Sequence, residues 1–246
     1  MQSRWNLENK KALVTGGTKG IGRAIAKELA LFGAQVCVVS RSAADISELQ
    51  KQTDKSITGI EQDLSLPGSY ANIIEHVKKT YGGLDILVNN VGMNIRKKTI
   101  EYSIEEYEKI IQTNLTSAFE LSRMAYPLLK ASGEGNVINI SSVAGQKHLR
   151  TGAIYGMTKA AMIQLTKNLA GEWAADNIRV NAVAPWYIKT PLANAVLKDK
   201  DYYDEVISRT PLRRVGEPED VASLVAFLCM PAARFFVAPG VFSALA

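Results

Sequence analysis

Short apolar runs alternate with amphipathic stretches along most of the chain. The runs are rich in β-branched residues and almost continuously hydrophobic, which is typical of parallel strands covered on both faces. They lie at residues 12–15, 35–39, 57–60, 86–88, 136–140 and 179–183. Helices are predicted near residues 20–32, 44–54, 68–81, 103–130, 153–175 and 217–229. This alternation predicts an α/β fold in which a doubly wound parallel sheet carries helices on both faces.

The composition is that of a globular protein and excludes several other classes. The 246 residues are 47% hydrophobic and 22% charged, with a formal net charge of +5, which excludes a disordered chain. No apolar run approaches the ~18 residues of a membrane helix, and the N-terminus lacks the apolar core of a secretory signal. We therefore expect a single domain over residues 1–246, no membrane partner and, by default, a cytoplasmic location.

Basic and metal-binding residue types are too dispersed to predict nucleic-acid or metal binding. The densest basic cluster, residues 96–98, is predicted to be a solvated loop, and a nucleic-acid interface would need a longer basic stripe. Cys37 and Cys229 lie in apolar runs and are predicted to be core residues. With His76 and His148 as the two histidines, the sequence predicts no zinc site, because structural zinc needs four ligands.

A glycine-rich segment joins the first predicted strand to the first predicted helix, and it reads T-G-x-x-x-G-x-G from Thr15 to Gly22. Glycines there allow a tight turn and let backbone N–H groups approach a diphosphate. The positive end of the helix favours the same anion. The segment therefore predicts a dinucleotide-binding site. Its candidate residues are Thr15, Gly16, Thr18, Lys19, Gly20, Ile21 and Gly22.

The end of the second predicted strand bears on the choice between NAD and NADP. An acidic residue there would accept a hydrogen bond from the ribose 2′-hydroxyl, whereas an arginine would accommodate a 2′-phosphate. The chain has Ser40 and Arg41 at this point, with Lys19 in the glycine-rich segment. Asp45 is a weak counter-argument, because it falls in the next predicted helix. The sequence therefore predicts NADP(H) as the cofactor.

A tyrosine, a lysine and a serine form the candidate catalytic set. Tyr155 and Lys159 are four residues apart and share one face of a predicted helix. An ammonium beside a phenol lowers a pKa that is normally ~10, which would let the tyrosine exchange a proton near neutral pH. Ser142 directly follows a predicted strand, and ligands bind at the carboxyl ends of parallel strands. We expect all three side chains to meet beside the glycine-rich segment.

With these motifs, the chain resembles the short-chain dehydrogenase/reductase family over roughly residues 7–233. Further matches are the acidic residue of Gln62-Asp63-Leu64, the sequence Asn89-Asn90-Val91-Gly92, close to N-N-A-G, and Asn114 in the long helix. The resemblance implies a Rossmann-type sheet of about seven strands. It implies a catalytic tetrad of Asn114, Ser142, Tyr155 and Lys159, the last two also contacting the cofactor. The other implied cofactor contacts are Asp63, Leu64, Asn90, Pro185, Ile188 and Thr190.

Within that family the chain looks like the tropinone-reductase-like branch. The segments that carry this likeness are residues 4–7, 17–19, 40–41 and 169–174. The branch implies carbonyl reduction by NADPH, in which Tyr155 donates the proton, Ser142 orients the carbonyl and Asn114 positions a water for proton relay to Lys159. It also implies a homotetramer or homodimer that pairs the helices near 103–130 and 153–175.

Two segments depart from the family pattern. Trp186 follows Pro185 where the family usually has glycine, and it is predicted to wall the substrate pocket. The tail, residues 234–246, lacks the usual glycines and aspartate of a final strand and contains Pro239. Because proline donates no hydrogen bond to a sheet, we expect the final strand, the subunit interface that it helps to build, or both, to be disturbed.

The substrate side is the least determined part of the site. Residues 190–213 could form two short helices that act as a lid, or they could pack as an ordinary helical pair. The candidate substrate contacts are Met93, Asn94, His148, Trp186, Leu192 and Val196. The resulting prediction is an NADP(H)-dependent reductase of ketones to secondary alcohols. The alternatives are a 3-oxoacyl-thioester reductase, a glucose 1-dehydrogenase-type sugar dehydrogenase, and a dinucleotide sensor without turnover.

Overall fold

A parallel sheet forms the centre of the molecule, in a computed structural model that describes residues 4–53, 56–66, 68–150, 152–237 and 241–243. Its strands within these residues are β1 (Lys11–Thr15), β2 (Gln35–Ser40), β3 (Ile57–Glu61), β4 (Ile86–Asn89), β5 (Gly135–Ile140), β6 (Ile178–Ala184) and β7 (Val241–Ser243). Their order is β3-β2-β1-β4-β5-β6-β7, and every pair is parallel. The doubly wound α/β fold predicted from the hydrophobic pattern is confirmed.

The helices cover both faces of the sheet. Those described are α1 (Gly20–Leu31), α2 (Ala43–Gln52), α3 (Ser69–Tyr81), α4 (Ile104–Ile111), α5 (Ser117–Ala131), α6 (Ala153–Trp173), α7 (Pro191–Leu197), α8 (Lys200–Ser208) and α9 (Pro218–Cys229). One apolar core joins one face to α1, α2 and α9, and a second core joins the other face to α3, α5 and α6. Among the described residues no helix has both the length and the hydrophobicity to cross a membrane.

Burial on both faces explains the continuous hydrophobicity of the strands. In β2, Val36 and Val38 belong to the first core, whereas Cys37 and Val39 belong to the second. Successive side chains of a strand point to opposite faces, so most positions of a doubly covered strand are apolar. The polar exceptions, such as Asn136 and Asn139 of β5, are buried. Cys37 is therefore a core residue, as predicted, and Cys229 is also buried with a free thiol.

The long helix predicted over residues 103–130 is interrupted at its middle. Between α4 and α5 the chain passes through a π-helical turn, Gln112–Thr116, which contains Asn114. Such turns are frequent at functional sites. The periodicity could not predict this turn, because the apolar spacing remains helical on both sides of it.

The final strand, which the sequence predicted to be disturbed, is present as a short strand beside β6. Val241–Ser243 pair with Ala182–Ala184 in register. Upstream, the Asn181 side chain donates a hydrogen bond to the Phe236 carbonyl oxygen (2.9 Å). Residues 236 and 237 are outside the strand, so the strand is only three residues long. The unusual Ala238 and Pro239 lie outside the described residues.

Candidate active site

A cavity of about 880 Å³ opens at the carboxyl ends of the strands. Because β1 lies between β2 and β4, the chain reverses its direction of travel across the sheet there, and doubly wound sheets bind ligands at such a point. The cavity brings together most residues named from the sequence. Those that line it are Gly16, Thr18, Lys19, Gly20, Ile21, Gly22, Ser40, Arg41, Asp63, Leu64, Asn90, Met93, Ser142, Tyr155, Lys159, Pro185, Trp186, Ile188, Thr190 and Leu192.

The glycine-rich segment leaves its backbone open to this cavity. Gly16 has a φ of +64°, which favours glycine, and a Cβ there would lie 3.1 Å from the Asn90 amide nitrogen. A Cβ at Gly22 would collide with the Gly16 carbonyl oxygen. No described side chain caps the N-terminus of α1, and its first turn contains no acidic residue. Unblocked N–H groups at a positive helix end fit the diphosphate of a dinucleotide.

Thr15 and Asn90 hold the glycine-rich segment to the end of β4. The Asn90 backbone N–H donates to Thr15 Oγ1 (2.9 Å), and the Asn90 amide donates to the Thr15 carbonyl oxygen (2.9 Å). Thr15 is buried, and its hydroxyl donates to the Val88 carbonyl oxygen (3.2 Å). Thr15 therefore lies beneath the cavity and shapes it, although the sequence placed it among the cofactor contacts.

Both cations that the sequence assigned to a 2′-phosphate line the cavity, but one of them is already paired. Lys19 Nζ lies 2.7 Å from the Asp45 carboxylate, and Asp45, in the first turn of α2, also lines the cavity. The lysine accordingly holds the pKa of Asp45 below its usual value. Asp45 is therefore a stronger counter-argument than the sequence indicated. Among the described residues no carboxylate lies within 4 Å of the Arg41 guanidinium.

Asp63 lies on the adenine side of the predicted cofactor position and is kept ionised. Its carboxylate accepts hydrogen bonds from the Ser65 N–H (2.9 Å) and the Ser65 hydroxyl (2.8 Å). Although burial opposes the charge, these hydrogen bonds and the nearby charge of Arg41 lower the pKa of Asp63. A fixed carboxylate can accept a hydrogen bond from an adenine amino group.

Ser142 and Tyr155 are hydrogen-bonded to each other on the cavity wall. Tyr155 lies in the first turn of α6, and Ser142 precedes a short 3-10 helix, Val143–Gly145. The Ser142 hydroxyl also accepts a hydrogen bond from the Ala144 N–H (3.1 Å), which orients it. A carbonyl oxygen between these two hydroxyls could receive two hydrogen bonds.

Lys159 is buried one turn further along α6. It is 3% exposed, and Nζ donates to the Ile140 carbonyl oxygen (2.8 Å) at the end of β5. Its Nζ lies 5.7 Å from the centroid of the Tyr155 ring. Burial lowers the pKa of Lys159 to about 8, because a charged group loses its hydration there.

The pKa of Tyr155 differs from the sequence prediction. Burial raises it, and the Ser142 hydrogen bond and the charge of Arg96 lower it by less. The expected lowering by Lys159 is not found, because its ammonium faces the phenol ring and hydrogen-bonds the Ile140 carbonyl oxygen. Arg96 supplies the positive charge that favours the phenolate.

Asn114 lies beneath the cavity and positions the loop after β4. Its Oδ1 accepts from the Met93 N–H (2.8 Å), and its Nδ2 donates to the Met93 carbonyl oxygen (2.9 Å) and to Thr158 Oγ1 (3.2 Å). A Cβ at Gly92 would lie 3.4 Å from Lys159 Nζ and 3.7 Å from Asn114 Oδ1. Asn114 and Lys159 therefore face the same glycine, and a water relay between them stays a prediction.

Arg96 is the residue at the site that the sequence analysis missed. It lines the cavity, although its basic cluster was predicted to be solvated. Its position six residues after Asn90, in the loop that follows β4, could have indicated it, because loops at the carboxyl ends of parallel strands form the site. The adjacent Lys97 and Lys98 are exposed, as predicted.

The predicted substrate contacts are divided by an aromatic wall. Trp186 packs edge to face on Tyr187 (4.8 Å between centroids), and Trp186 Nε1 donates to Thr210 Oγ1 (3.0 Å). His148 lines a second cavity of about 380 Å³, to which the wall also contributes. His148, Asn94 and Val196 are not among the residues that line the main cavity. Trp186 lines both cavities, as a pocket wall would.

Comparison with known proteins identifies the relatives of this chain. A family model described as enoyl-(acyl carrier protein) reductase matches residues 16–240. A tropinone reductase homologue of Arabidopsis thaliana is 55% identical over 94% of this chain and 89% of its own length. Senescence-associated protein 13 of the same plant is 48% identical, over 95% of this chain and 88% of its own.

Solved structures with the same fold are also similar to this chain, at lower sequence identity. A short-chain alcohol dehydrogenase of Sinorhizobium meliloti 1021 superposes with a TM-score of 0.93 at 31% identity, covering 98% of this chain and 97% of that one. A protein described as an NAD(P)-dependent gluconate 5-dehydrogenase of Beutenbergia cavernae, with bound NADP, gives 0.93 at 32% identity, with 98% and 97% covered. The two solved structures share the fold of this chain, and they are described as an alcohol dehydrogenase and a gluconate 5-dehydrogenase.

Proposed function

The chain belongs to the short-chain dehydrogenase/reductase family, in its tropinone-reductase-like branch, and from that membership we propose that it is an NADP(H)-dependent carbonyl reductase. Family membership makes it an oxidoreductase of small CH–OH or carbonyl compounds with a nicotinamide dinucleotide cofactor. The observation that carries the proposal is the convergence of Ser142, Tyr155 and Lys159 on the cavity that the glycine-rich segment borders.

Each residue of the cavity has a separate role in the proposed reaction. The nicotinamide ring supplies or accepts the hydride when it is bound. In the reduction direction Tyr155 donates its proton to the carbonyl oxygen as negative charge develops there. Ser142 donates a hydrogen bond to the same oxygen and fixes its position. The positive charge of Arg96 stabilises the phenolate that remains. Asn114 holds the Met93 backbone in place.

The preference for NADPH is supported by the groups at the end of β2. Arg41 and the hydroxyls of Thr18 and Ser40, which are hydrogen-bonded (3.1 Å), border the same corner of the cavity. A guanidinium beside hydroxyls suits a phosphate. Lys19 would add a second cation once it exchanges Asp45 for the phosphate.

We assign the lid to α7 and α8, the two helices that fold where residues 190–213 were expected to form a pair. Leu192 of α7 lines the main cavity, and Thr190 caps α7 by accepting from the Ala193 N–H (3.2 Å). The helix α7 has no fully buried residue, so little apolar contact opposes its movement. Closure would exclude water from the reacting groups.

The first experiment titrates the protein with NADPH and NADH and then measures turnover of a carbonyl panel. We expect NADPH to bind at least tenfold more tightly, a difference of about 1.4 kcal/mol. Arg41→Ala should remove most of that preference, whereas Asp45→Asn should increase it by releasing Lys19. Tyr155→Phe should keep cofactor affinity and lose turnover.

The outcomes separate the proposal from its alternatives. Equal affinity for the two cofactors in the unchanged protein would contradict the role of Arg41. Tight binding with no turnover of any carbonyl would indicate a sensor. Turnover confined to acyl thioesters or sugars would indicate one of the other two enzymes.

A further inference from the structure

We propose that Arg96 is the anion-binding residue of the substrate site, so that the carbonyl substrate carries a carboxylate. The inference rests on the proposed function and specifies its substrate class. It starts from a guanidinium on the wall of the main cavity whose N–H groups form no hydrogen bond with the described residues of the catalytic set or the dinucleotide cradle, although its charge acts on Tyr155.

The charge of Arg96 acts on both sides of the space where a substrate would lie. It lowers the pKa of Tyr155, the proton donor, and it lowers the pKa of Tyr187, whose ring packs on Trp186. Burial outweighs this effect at both tyrosines. The guanidinium is therefore close enough to act on the reacting phenol and on the aromatic wall.

Its hydrogen-bonding groups are incompletely used. Arg96 Nη2 donates to the Leu192 carbonyl oxygen at 3.5 Å, a long contact. Arg96 Nε is buried and has no hydrogen-bond partner among the described residues. A buried donor without a partner is costly and calls for an explanation. Nε and one Nη together form the edge of a guanidinium that binds a carboxylate through two parallel hydrogen bonds.

Cations around the rim of the site are neutralised, and Arg96 is different. Lys97 pairs with Glu106 (2.5 Å), Arg150 with Glu205, and Lys189 with Glu217. No carboxylate of the described residues lies within 4 Å of Arg96. Arg96 therefore carries a positive charge on the cavity wall that the described residues do not balance. Arg41 is likewise unpaired among these residues, but it lies at the corner proposed for the 2′-phosphate.

The surroundings favour a carboxylate over a more highly charged group. The cavity wall near Arg96 includes the apolar side chains of Met93, Leu149 and Leu192. Apolar surroundings strengthen an ion pair, and they penalise any charge that is left unpaired. One guanidinium balances the single charge of a carboxylate, whereas a phosphate would leave further charge and oxygen atoms without donors.

The test compares oxo acids with their methyl esters as substrates under NADPH. Levulinate with methyl levulinate, and the two next longer oxo acids with their esters, vary the distance between carbonyl and charge. We expect kcat/KM to favour at least one acid over its ester by tenfold or more, through a lower KM. Arg96→Gln should reduce that ratio at least tenfold, and Arg96→Lys should keep part of it.

Two features of the design isolate the ion pair. Arg96 also acts on Tyr155, but that effect changes kcat for acid and ester alike and leaves their ratio unchanged. Lys98→Gln removes the same charge from an exposed position two residues away and should not change the ratio. Circular dichroism of each variant checks that it is folded.

The possible failures are distinguishable. If esters and acids react and Arg96→Gln does not alter their ratio, the role of Arg96 is wrong while the reductase remains. If neither class reacts although NADPH binds, the proposed function is wrong, and calorimetric titration with the same oxo acids then decides on Arg96. Binding that is lost in Arg96→Gln would support the anion site, and binding that is unchanged would refute it.

Discussion

At the residue scale, the candidate site is governed by how each charge is buried and paired. Lys159 is an ammonium in the core that the protein solvates with one carbonyl oxygen, from Ile140. Lys19 is exposed and ion-paired to Asp45. Arg96 is neither fully solvated nor ion-paired among the described residues. A basic side chain thus has a different energetic cost and a different role at each of the three positions, and the sequence alone does not distinguish them.

The buried charge of Lys159 predicts a pH-dependent stability. Its pKa is about 8 in the folded protein and ~10.4 in an unfolded chain. Between these values the unfolded state binds more protons, so stability gained from this group rises as pH rises from about 8. The free energy of unfolding should rise by about 2 kcal/mol from this group between pH ~8 and ~9.5, since one pH unit corresponds to ~1.4 kcal/mol.

Urea unfolding of the unchanged protein and of Lys159→Met at pH ~7 and ~9.5 measures this effect. The advantage of Lys159→Met should shrink at the higher pH, and titration of other groups cancels in the difference. Lys167→Met, on the exposed side of the same helix, should show no such change. A difference independent of pH would mean that Lys159 keeps an ordinary pKa in the folded protein.

At the element scale, the site depends on close packing between the 3-10 helix Val143–Gly145 and α6. A Cβ at Gly145 would lie 2.6 Å from the Lys159 carbonyl carbon and 2.7 Å from the Ala160 nitrogen. The Ser141 hydroxyl donates to the Lys159 carbonyl oxygen (2.8 Å) across the same contact. This contact sets the distance between Ser142 and Tyr155, which lie on different elements.

Gly145→Ala should therefore separate the two catalytic hydroxyls. Overpacking of this kind costs about 1–3 kcal/mol, and kcat should fall because the carbonyl would lose one of its two hydrogen bonds. The control is Gly171→Ala in α6, where nothing lies within 4 Å of the added Cβ. It should raise stability by up to about 1 kcal/mol and leave kcat unchanged. Equal thermal midpoints for the two variants would contradict the packing account.

The π-helical turn at Gln112–Thr116 is a second device at this scale. It lets Asn114 point its amide at the Met93 backbone while α4 and α5 continue on either side. The hydrophobic periodicity predicted the helix, because the apolar spacing is helical on both sides of the turn. Periodicity of hydrophobic residues alone therefore does not reveal a functional interruption within a helix.

At the scale of the whole molecule, apolar side chains are exposed on the helices that the family resemblance assigned to the subunit interface. Ile104 is 61% exposed, Phe119 45% and Met157 53%, on α4, α5 and α6. Exposed large apolar side chains favour association between proteins. We propose that these helices pair between copies of the chain in a homotetramer.

Light scattering of the purified protein tests this proposal. We expect a mass four times the 26.8 kDa of one chain. Phe119→Asp should give smaller species that remain folded, because a carboxylate opposes burial at an interface. Leu31→Asp changes a side chain that is 78% exposed on α1, outside the proposed interface, and should leave the mass unchanged. A monomer in the unchanged protein would refute the assembly.

Much of the fold follows from the sequence, because strands and helices have local signatures. Continuous apolar runs predicted β1 to β6 to within two residues, since burial on both faces makes most of their positions apolar. The glycine-rich segment and the spacing of Tyr155 and Lys159 are also local, and they placed the predicted cofactor and catalytic residues on one cavity. The final strand is the exception, because its unusual residues predicted a disturbance while three of them still pair with β6.

Tertiary structure alone decided where loop side chains point and which charges meet. Arg96 and Lys97 are adjacent in the chain, yet one lines the cavity and the other pairs with Glu106 at the rim. Asp45 reaches Lys19 from another element, and His148 lies beyond the aromatic wall. Such directions result from packing between segments distant in sequence, for which no local periodicity exists. The sequence by itself therefore determined the fold and predicted the proposed catalytic set, whereas the tertiary structure decided the charge environment on which the substrate proposal rests.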